Sequence, residues 1–308
     1  MIDVSNLVIE QQILSLNQMP FQADLNIAFA IDKNYLKPCG ICIYSILKHN
    51  PNLNIDFHIF TTYFDATHFK ALLTDRIRIH VHILKPDYFD SLQTTGHFTT
   101  AIYYRLSIAH ILKDQVKSFL YVDADILCTG SLDDLTTVSL DHTVLGAVQD
   151  SSMKLEDITG LGLPNTHRYF NSGVLLIHCK HWLDFDVVEK FTQLIGQREY
   201  EYPDQDVLNL ILEGHIEYLD EKFNYFSEND IQPALMHFVS TPKPWSICAM
   251  NNALYLKYYA ESPWQHEALN PPRNYKEEKK YAKKLWKNKE YLHSLQWFYR
   301  YTVHKLNQ

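Results

Sequence analysis

The sequence predicts an α/β protein built on a Rossmann-like layered core, and three observations carry that prediction. Short apolar runs alternate with helical stretches from residue 25 onward, the rhythm of crossover units in a largely parallel sheet. The 308 residues are 46% hydrophobic and 13% aromatic, enough to bury a large core. Finally, the apolar run Ser118 to Val122 ends on Asp123-Ala124-Asp125, and open α/β sheets place their ligands just beyond the carboxyl ends of strands.

In chain order, strands are expected at 25–31, 54–61, 77–83, 118–122, 143–148, 173–177, 216–219 and 235–239. Helices are expected at 38–48, 65–73, 100–112, 182–195 and 205–212. The stretch 25–83 thus reads βαβαβ. Pro263 and Pro271-Pro272 punctuate the end of this body and the composition changes just after them, so the expected organisation is an N-terminal extension (1–23), a main domain (24–272) and a tail (273–308). The tail holds ten Lys/Arg against three acids, a net of +7, which leaves −15 on the first 272 residues. Such polarity gives the tail a different partner from the body.

The N-terminus carries acids and no base before Lys33, and no apolar run approaches a membrane span, so a cytoplasmic protein without a signal peptide is expected. Five scattered cysteines argue against a disulfide framework. Cys39-Gly40-Ile41-Cys42 has no second C-x-x-C to complete a zinc site and reads as small residues on a helix. His80 with His82, and His178 with His181, are spacings that sixteen histidines produce by chance.

Asp123 and Asp125 have no cation near them in sequence. Two residues apart on an extended backbone their side chains point the same way and suit a hard divalent ion bridging a diphosphate. Two further Asp-x-Asp pairs, Asp184/Asp186 and Asp204/Asp206, show that the pattern alone is not a site. His237, at the end of another apolar run, could complete the ligand set, and one nitrogen with several oxygens favours Mn²⁺ over Ca²⁺. Lys243, in the proline-stiffened turn that follows, could neutralise a diphosphate.

Taken together, Phe29 to Tyr35, Tyr104-Arg105-Leu106, Leu120 to Asp125, Tyr169 to Val174, Tyr202 to Val207 and His237 to Trp245 resemble glycosyltransferase family 8. The nearest likeness is to bacterial lipopolysaccharide core glucosyl- and galactosyltransferases. The likeness runs over 24–264 with the motifs in the family's order, and extends to the basic aromatic tail. It implies a GT-A type fold, a Rossmann-like mixed sheet flanked by helices with a basic aromatic helical C-terminal extension. It also implies UDP-glucose or UDP-galactose as donor, Mn²⁺ (with Mg²⁺ as the alternative) and retention of anomeric configuration.

By the same resemblance, Ala30, Asp32 and Asn34 hold the uridine, Asp123, Asp125 and His237 the metal, and Ser240 and Lys243 the diphosphate, while Asp123 also belongs to the nucleotide contacts. Arg105, Asn171, Asp204 and Gln205 match positions around the donor sugar. Ser240 stands where the family usually has Gly, which would permit a closer backbone approach to phosphate. Lys33 stands where a second acid often sits.

The chemistry fits these residue types. Cleaving the bond from the anomeric carbon to UDP develops positive charge on the sugar and negative charge on the diphosphate, which a metal and a lysine stabilise without an acid catalyst. Gln205 is a poor nucleophile, so attack from the leaving-group face is expected, with Asp206 or Asp204 as covalent alternatives. The tail adds Tyr281, Trp286, Tyr291, Trp297, Phe298, Tyr299 and Tyr301 to its lysines, a composition suited to an anionic bilayer surface. Nucleic acid is not an expected partner of so acidic a body.

The expected activity is transfer of a hexose to a lipid-linked lipopolysaccharide or lipooligosaccharide core acceptor, at the cytoplasmic face of the inner membrane. Two other readings compete. Residues 119–127 resemble the Asp-x-Asp opening of haloacid dehalogenase-type phosphatases, although Ile126-Leu127 replaces Gly-Thr. A non-catalytic membrane-binding protein on the same fold is the other.

Overall fold

The computed structural model describes residues 6–16, 22–89, 100–226 and 232–307. It separates into two compact units, 1–237 and 238–308. The change of composition at 272 lies inside the second.

The first unit is organised by β2 (Leu25–Ile31), β3 (Ile55–Thr61) and β4 (Ile77–Leu84), which pair in parallel. Their β-branched and aromatic runs suit strands covered on both faces. β1 (Val8–Leu14) closes one edge antiparallel to β4. On the other side, β5 (Ser118–Val122) pairs parallel to β2, with Ala28 opposite Tyr121. The short β6 (Ile126–Cys128) follows directly. β7 (Leu145–Gln149) and the fully buried β8 (Phe170–His178) pair antiparallel, as do β8 and β5. β9 (Ile216–Tyr218) adds in parallel to β7. Among the described residues the sheet therefore has eight strands, ordered β1-β4-β3-β2-β5-β8-β7-β9. β10 (Leu235–His237) pairs with β6 in a separate ribbon.

The sheet is mixed where the crossover rhythm alone predicts a largely parallel one. That rhythm governs only 25–83; β8 then enters antiparallel between β5 and β7. Helices cover both faces. α1 (Leu36–His49) packs on β2 and β6, while α2 (Tyr104–Leu112) packs on β2 and β3 and meets α4 (Cys179–Asp184) and α5 (Val187–Ile195). The short α3 (Leu155–Gly160) precedes β8, and α6 (Pro203–Ile211) lies against α5 and β8. The core is continuous from Phe60 and Tyr104 to Trp182, Phe191 and Leu208.

Two expected helices are corrected. Residues 65–73 form only a 3-10 turn at Phe69–Leu72, because the Asp65 carboxylate accepts from both the backbone N–H and the hydroxyl of Thr67, holding the chain in a turn just ahead. Residues 182–195 are two helices, α4 and α5, broken at Asp186, whose φ of 55° is left-handed and cannot continue a helix.

The second unit holds α7 (Ala253–Glu261), α8 (Tyr275–Lys287) and α9 (Tyr291–Leu306). The Asn274 side chain caps α8 by accepting from Glu277 N–H. α8 and α9 pack as a hairpin through Tyr281 on Trp297, Tyr275 on Tyr301 and the Ser294 hydroxyl donating to Ala282 O. No helix among the described residues is long and apolar enough to cross a membrane.

Candidate active site

Residues Asp123 to Asp125 form the tight connection between β5 and β6, so their side chains converge through a turn, not through the extended alternation that the spacing suggests. Antiparallel pairing then sets His237 opposite Ile126, the residue after Asp125. One ligand atom from each of Asp123, Asp125 and His237 lies within 4.8 Å of the others, with His237 Nε2 3.2 Å from Asp125 Oδ1. Among the described residues no other group of His, Cys, Asp or Glu side chains meets this way.

Packing fixes each member. Asp123 Oδ1 accepts from Tyr121 Oη at 2.5 Å and from Arg105 Nη2 at 3.1 Å. Burial, with Asp125 alongside, pushes the Asp123 carboxyl above its usual range even though Arg105 opposes the shift. The Asp123 N–H donates to Gly173 O at 2.8 Å. A Cβ on Gly173 would stand 2.4 Å from His237 Cε1, so glycine is required there by close approach. The donor set, two carboxylates and an imidazole nitrogen in a cradle that a single Cβ would fill, fits a divalent cation.

Arg105 joins the acid pair to α6. Its Nη1 lies 3.0 Å from Asp204 Oδ2 and donates to Ser172 O at 2.9 Å, its Nε donates to Ile102 O, and the guanidinium lies 4.5 Å over the Tyr121 ring. Burial alone would depress this group, but Tyr121, Asp123 and Asp204 reverse the effect and raise it, so it stays charged. Asp204 also accepts from the Ser172 hydroxyl at 3.0 Å. Gln205 is engaged at both ends of its amide: Oε1 accepts from Ser172 N–H at 2.9 Å and Nε2 donates to Tyr169 Oη at 3.3 Å. Asn171 Oδ1 accepts from Gly173 N–H and from Asn224 Nδ2, leaving its own amide NH₂ as the part that can meet a substrate.

Ala30, one residue before the end of β2, lies two residues past the pairing of Ala28 with Tyr121, so it stands level with Asp123. Asp32 follows and accepts from Asn34 N–H at 2.7 Å through Oδ1. The first unit thus brings together Ala30, Asp32 and Asn34 at the end of β2, Asp123 and Asp125 at the end of β5, His237 on β10, and Arg105, Asn171, Asp204 and Gln205 around them. Ser240 and Lys243 belong to the second unit, where Lys243 Nζ donates to Phe238 O. Cys39 and Cys42 are buried free thiols on α1, raised by burial, as the reading of small helix residues requires.

Sequence reasoning assigned no role to Tyr121, Tyr169, Ser172 and Asn224. The first three lie inside motifs singled out above, Tyr121 two residues before Asp123 and Tyr169 and Ser172 on either side of Asn171. Asn224 lies in no motif at all. The phosphatase reading finds no support: the oxygen Oδ1 of its would-be nucleophile, Asp123, is already engaged by Tyr121 and Arg105.

Known proteins place this geometry. The galactosyltransferase LgtC, solved in complex with donor and acceptor sugar analogs, superposes with a TM-score of 0.66 at 23% identity over 77% of this chain and 96% of its own, which establishes the GT-A fold. The chain is 32% identical to the lipopolysaccharide glucosyltransferase WaaO of Escherichia coli K12, over 92% of this chain and 91% of that protein. It is 31% identical to the lipopolysaccharide 1,3-galactosyltransferase of Salmonella typhimurium LT2, over 91% of each. The profile of Glycosyl transferase family 8 matches residues 26–249, and that of the family's C-terminal region matches 251–305. With its fold and nearly its whole length accounted for in this way, the chain is a glycosyltransferase and belongs to family 8.

Proposed function

We propose that the protein is a retaining hexosyltransferase that moves glucose or galactose from a UDP-sugar onto the lipid-linked oligosaccharide of a lipopolysaccharide or lipooligosaccharide core. The convergence of Asp123, Asp125 and His237 at the carboxyl end of β5, next to the Ala30–Asn34 turn, carries the reading. The names of the lipopolysaccharide transferases that match over nine-tenths of the chain support the acceptor class.

Asp123, Asp125 and His237 would hold Mn²⁺, or Mg²⁺ in its place. When bound, such an ion supplies positive charge to the diphosphate as the bond to the sugar breaks. Ala30, Asp32 and Asn34 receive the uridine. Arg105 holds Asp123 and Asp204 in place through its guanidinium. Gln205 and Asn171 face the donor sugar.

The local hydrogen bonds favour attack from the leaving-group face over a covalent intermediate. Asp204 is tied to Arg105 and Ser172, and Asp206 accepts from Tyr169 Oη and Tyr202 N–H, so neither carboxylate is poised as a nucleophile. Gln205 is an amide with both ends engaged. Thermal shift with UDP-glucose, UDP-galactose and UDP-N-acetylglucosamine in the presence of Mn²⁺ should single out a hexose, and NMR of the product should show an α-linkage. A β-linked product would overturn retention. Absence of both transfer and UDP-sugar hydrolysis would favour the non-catalytic membrane-binding reading.

The same proposal puts the protein at the cytoplasmic face of the inner membrane, held by its second unit. That unit carries twelve Lys/Arg against five acids, while the first carries the opposite sign. On α9, Leu292, Leu295, Tyr299, Val303 and Leu306 are exposed and share one helix face, away from Ser294, Trp297 and Tyr301, which meet α8. An apolar stripe on a basic unit matches an anionic lipid surface, whereas a second copy would bring like charges together. Leu295→Glu with Tyr299→Glu should abolish sedimentation with anionic liposomes and leave UDP-sugar hydrolysis unchanged. Unaltered sedimentation would remove the membrane reading.

A further inference from the structure

The buried amide of Asn224 has no place in the motifs above, yet it touches the one imidazole of the acid cluster. Its side chain is 2% exposed. Its Oδ1 lies 2.9 Å from His237 Nδ1, and its Nδ2 donates to Asn171 Oδ1 at 2.8 Å.

The direction of every proton in this relay follows from a group that cannot be flipped. The backbone N–H of Gly173 can only donate, and it points at the Asn171 amide oxygen at 2.9 Å. That atom is therefore the carbonyl oxygen, and Asn224 must present its NH₂ to it. The remaining end of Asn224 is then an acceptor. Facing an acceptor, His237 Nδ1 must carry a proton, which leaves Nε2 as the ring atom available to a metal ion. Nε2 is the atom 3.2 Å from Asp125 Oδ1, a separation that either a proton or a metal cation bridges.

We propose that Asn224 is a positioning residue that fixes His237 as the Nδ1–H tautomer and so aims Nε2 at Asp123 and Asp125 as a metal ligand. The backbone of Gly173 is the origin of the relay, acting through Asn171. The role rests on the reading of Asp123, Asp125 and His237 as a metal site. Outer partners of this kind orient the ligand ring, and their loss typically lowers metal affinity.

The test uses the full chain labelled with ¹⁵N-histidine. Ring-nitrogen NMR of the metal-free protein, recorded at a pH where the His237 ring is neutral and with His237 assigned by comparison with His237→Gln, reads the tautomer; Mn²⁺ binding is read separately by EPR of the free ion. Wild type should show the Nδ1–H tautomer. Asn224→Leu, which removes the acceptor, should lose that tautomer preference and bind Mn²⁺ about 10–100-fold more weakly. Asn224→Asp keeps an acceptor toward Nδ1 although it loses the donor to Asn171, and should keep the tautomer; the loss in Asn224→Leu, which fills a similar volume, is the outcome that a merely space-filling role would not give.

Wild type carrying the Nε2–H tautomer would overturn the proposal, and this measurement stands even if Asn224→Leu fails to fold. Unchanged Mn²⁺ affinity in a folded Asn224→Leu would overturn the role of Asn224 alone. Wild type with the Nδ1–H tautomer but no Mn²⁺ binding, and no effect of His237→Gln, would overturn the metal reading and this role with it.

Discussion

The three Asp-x-Asp pairs of this chain look alike in sequence and end in three different environments. Asp123 and Asp125 flank a turn at the end of a strand, where an imidazole meets them. Asp204 and Asp206 sit in the first turn of α6, where their side chains part company: Asp204 goes to Arg105 and Ser172, Asp206 to Tyr169 and the Tyr202 backbone. Asp184 is exposed and paired with Lys180 one turn earlier, and Asp186 breaks the helix. A carboxylate becomes a metal ligand, a structural anchor or a solvated charge according to what the fold sets opposite it. The residue spacing is common to all three.

Substitutions at the three pairs should separate these roles. The largest effect is expected at the first. Asp125→Asn deletes a charged ligand without touching the core and should reduce turnover by about 10²–10³ at saturating Mn²⁺, with an unchanged melting curve. Full activity would place this pair with the others.

Asp204→Ala leaves the buried Arg105 with one carboxylate fewer. A loss of about 3 kcal/mol in denaturant unfolding is expected, together with reduced transfer, because Asp123 is held by the same guanidinium. If stability is unchanged, Arg105 does not need Asp204.

Asp206→Ala strands the Tyr169 hydroxyl in the interior and should cost about 1–3 kcal/mol. The pH dependence gives a sharper test. Burial raises the Asp206 carboxyl in the folded protein, so between the ordinary carboxylate range and that raised value the folded state binds more protons than the unfolded chain. Stability from this group therefore falls as pH rises through that window. Asp206→Asn should flatten that dependence, which comparison of unfolding curves across the window would reveal.

The smallest effect belongs to Asp184→Asn. Its ion pair with Lys180 is exposed, and the change should stay within about 0.5 kcal/mol with full transfer activity. A clear loss of activity here would mean that the site extends further than the first unit's strand ends.

Much of the site was legible because its chemistry is local. An acid pair at the end of an apolar run, a turn after β2, and an imidazole at the end of another run are each contiguous segments. The order of those segments along the chain suffices to name the family. The helical, basic tail was legible for the same reason, since charge and aromatic content are sums over sequence.

Other features were settled by pairing between distant residues. The antiparallel entry of β8, the ribbon that sets His237 opposite Ile126, and the approach of Gly173 to the imidazole depend on register across more than fifty residues. No local pattern encodes such registers. The breaks at Asp65 and Asp186 were hidden because one side chain's local hydrogen bonds or one left-handed residue outweighs the average propensity of a window. The sequence by itself determined which chemical groups are available and on which elements they ride. Tertiary structure alone decided which of three identical acid pairs faces a histidine, and it gave Asn224 its orientation, because burial is what forces each donor to find an acceptor.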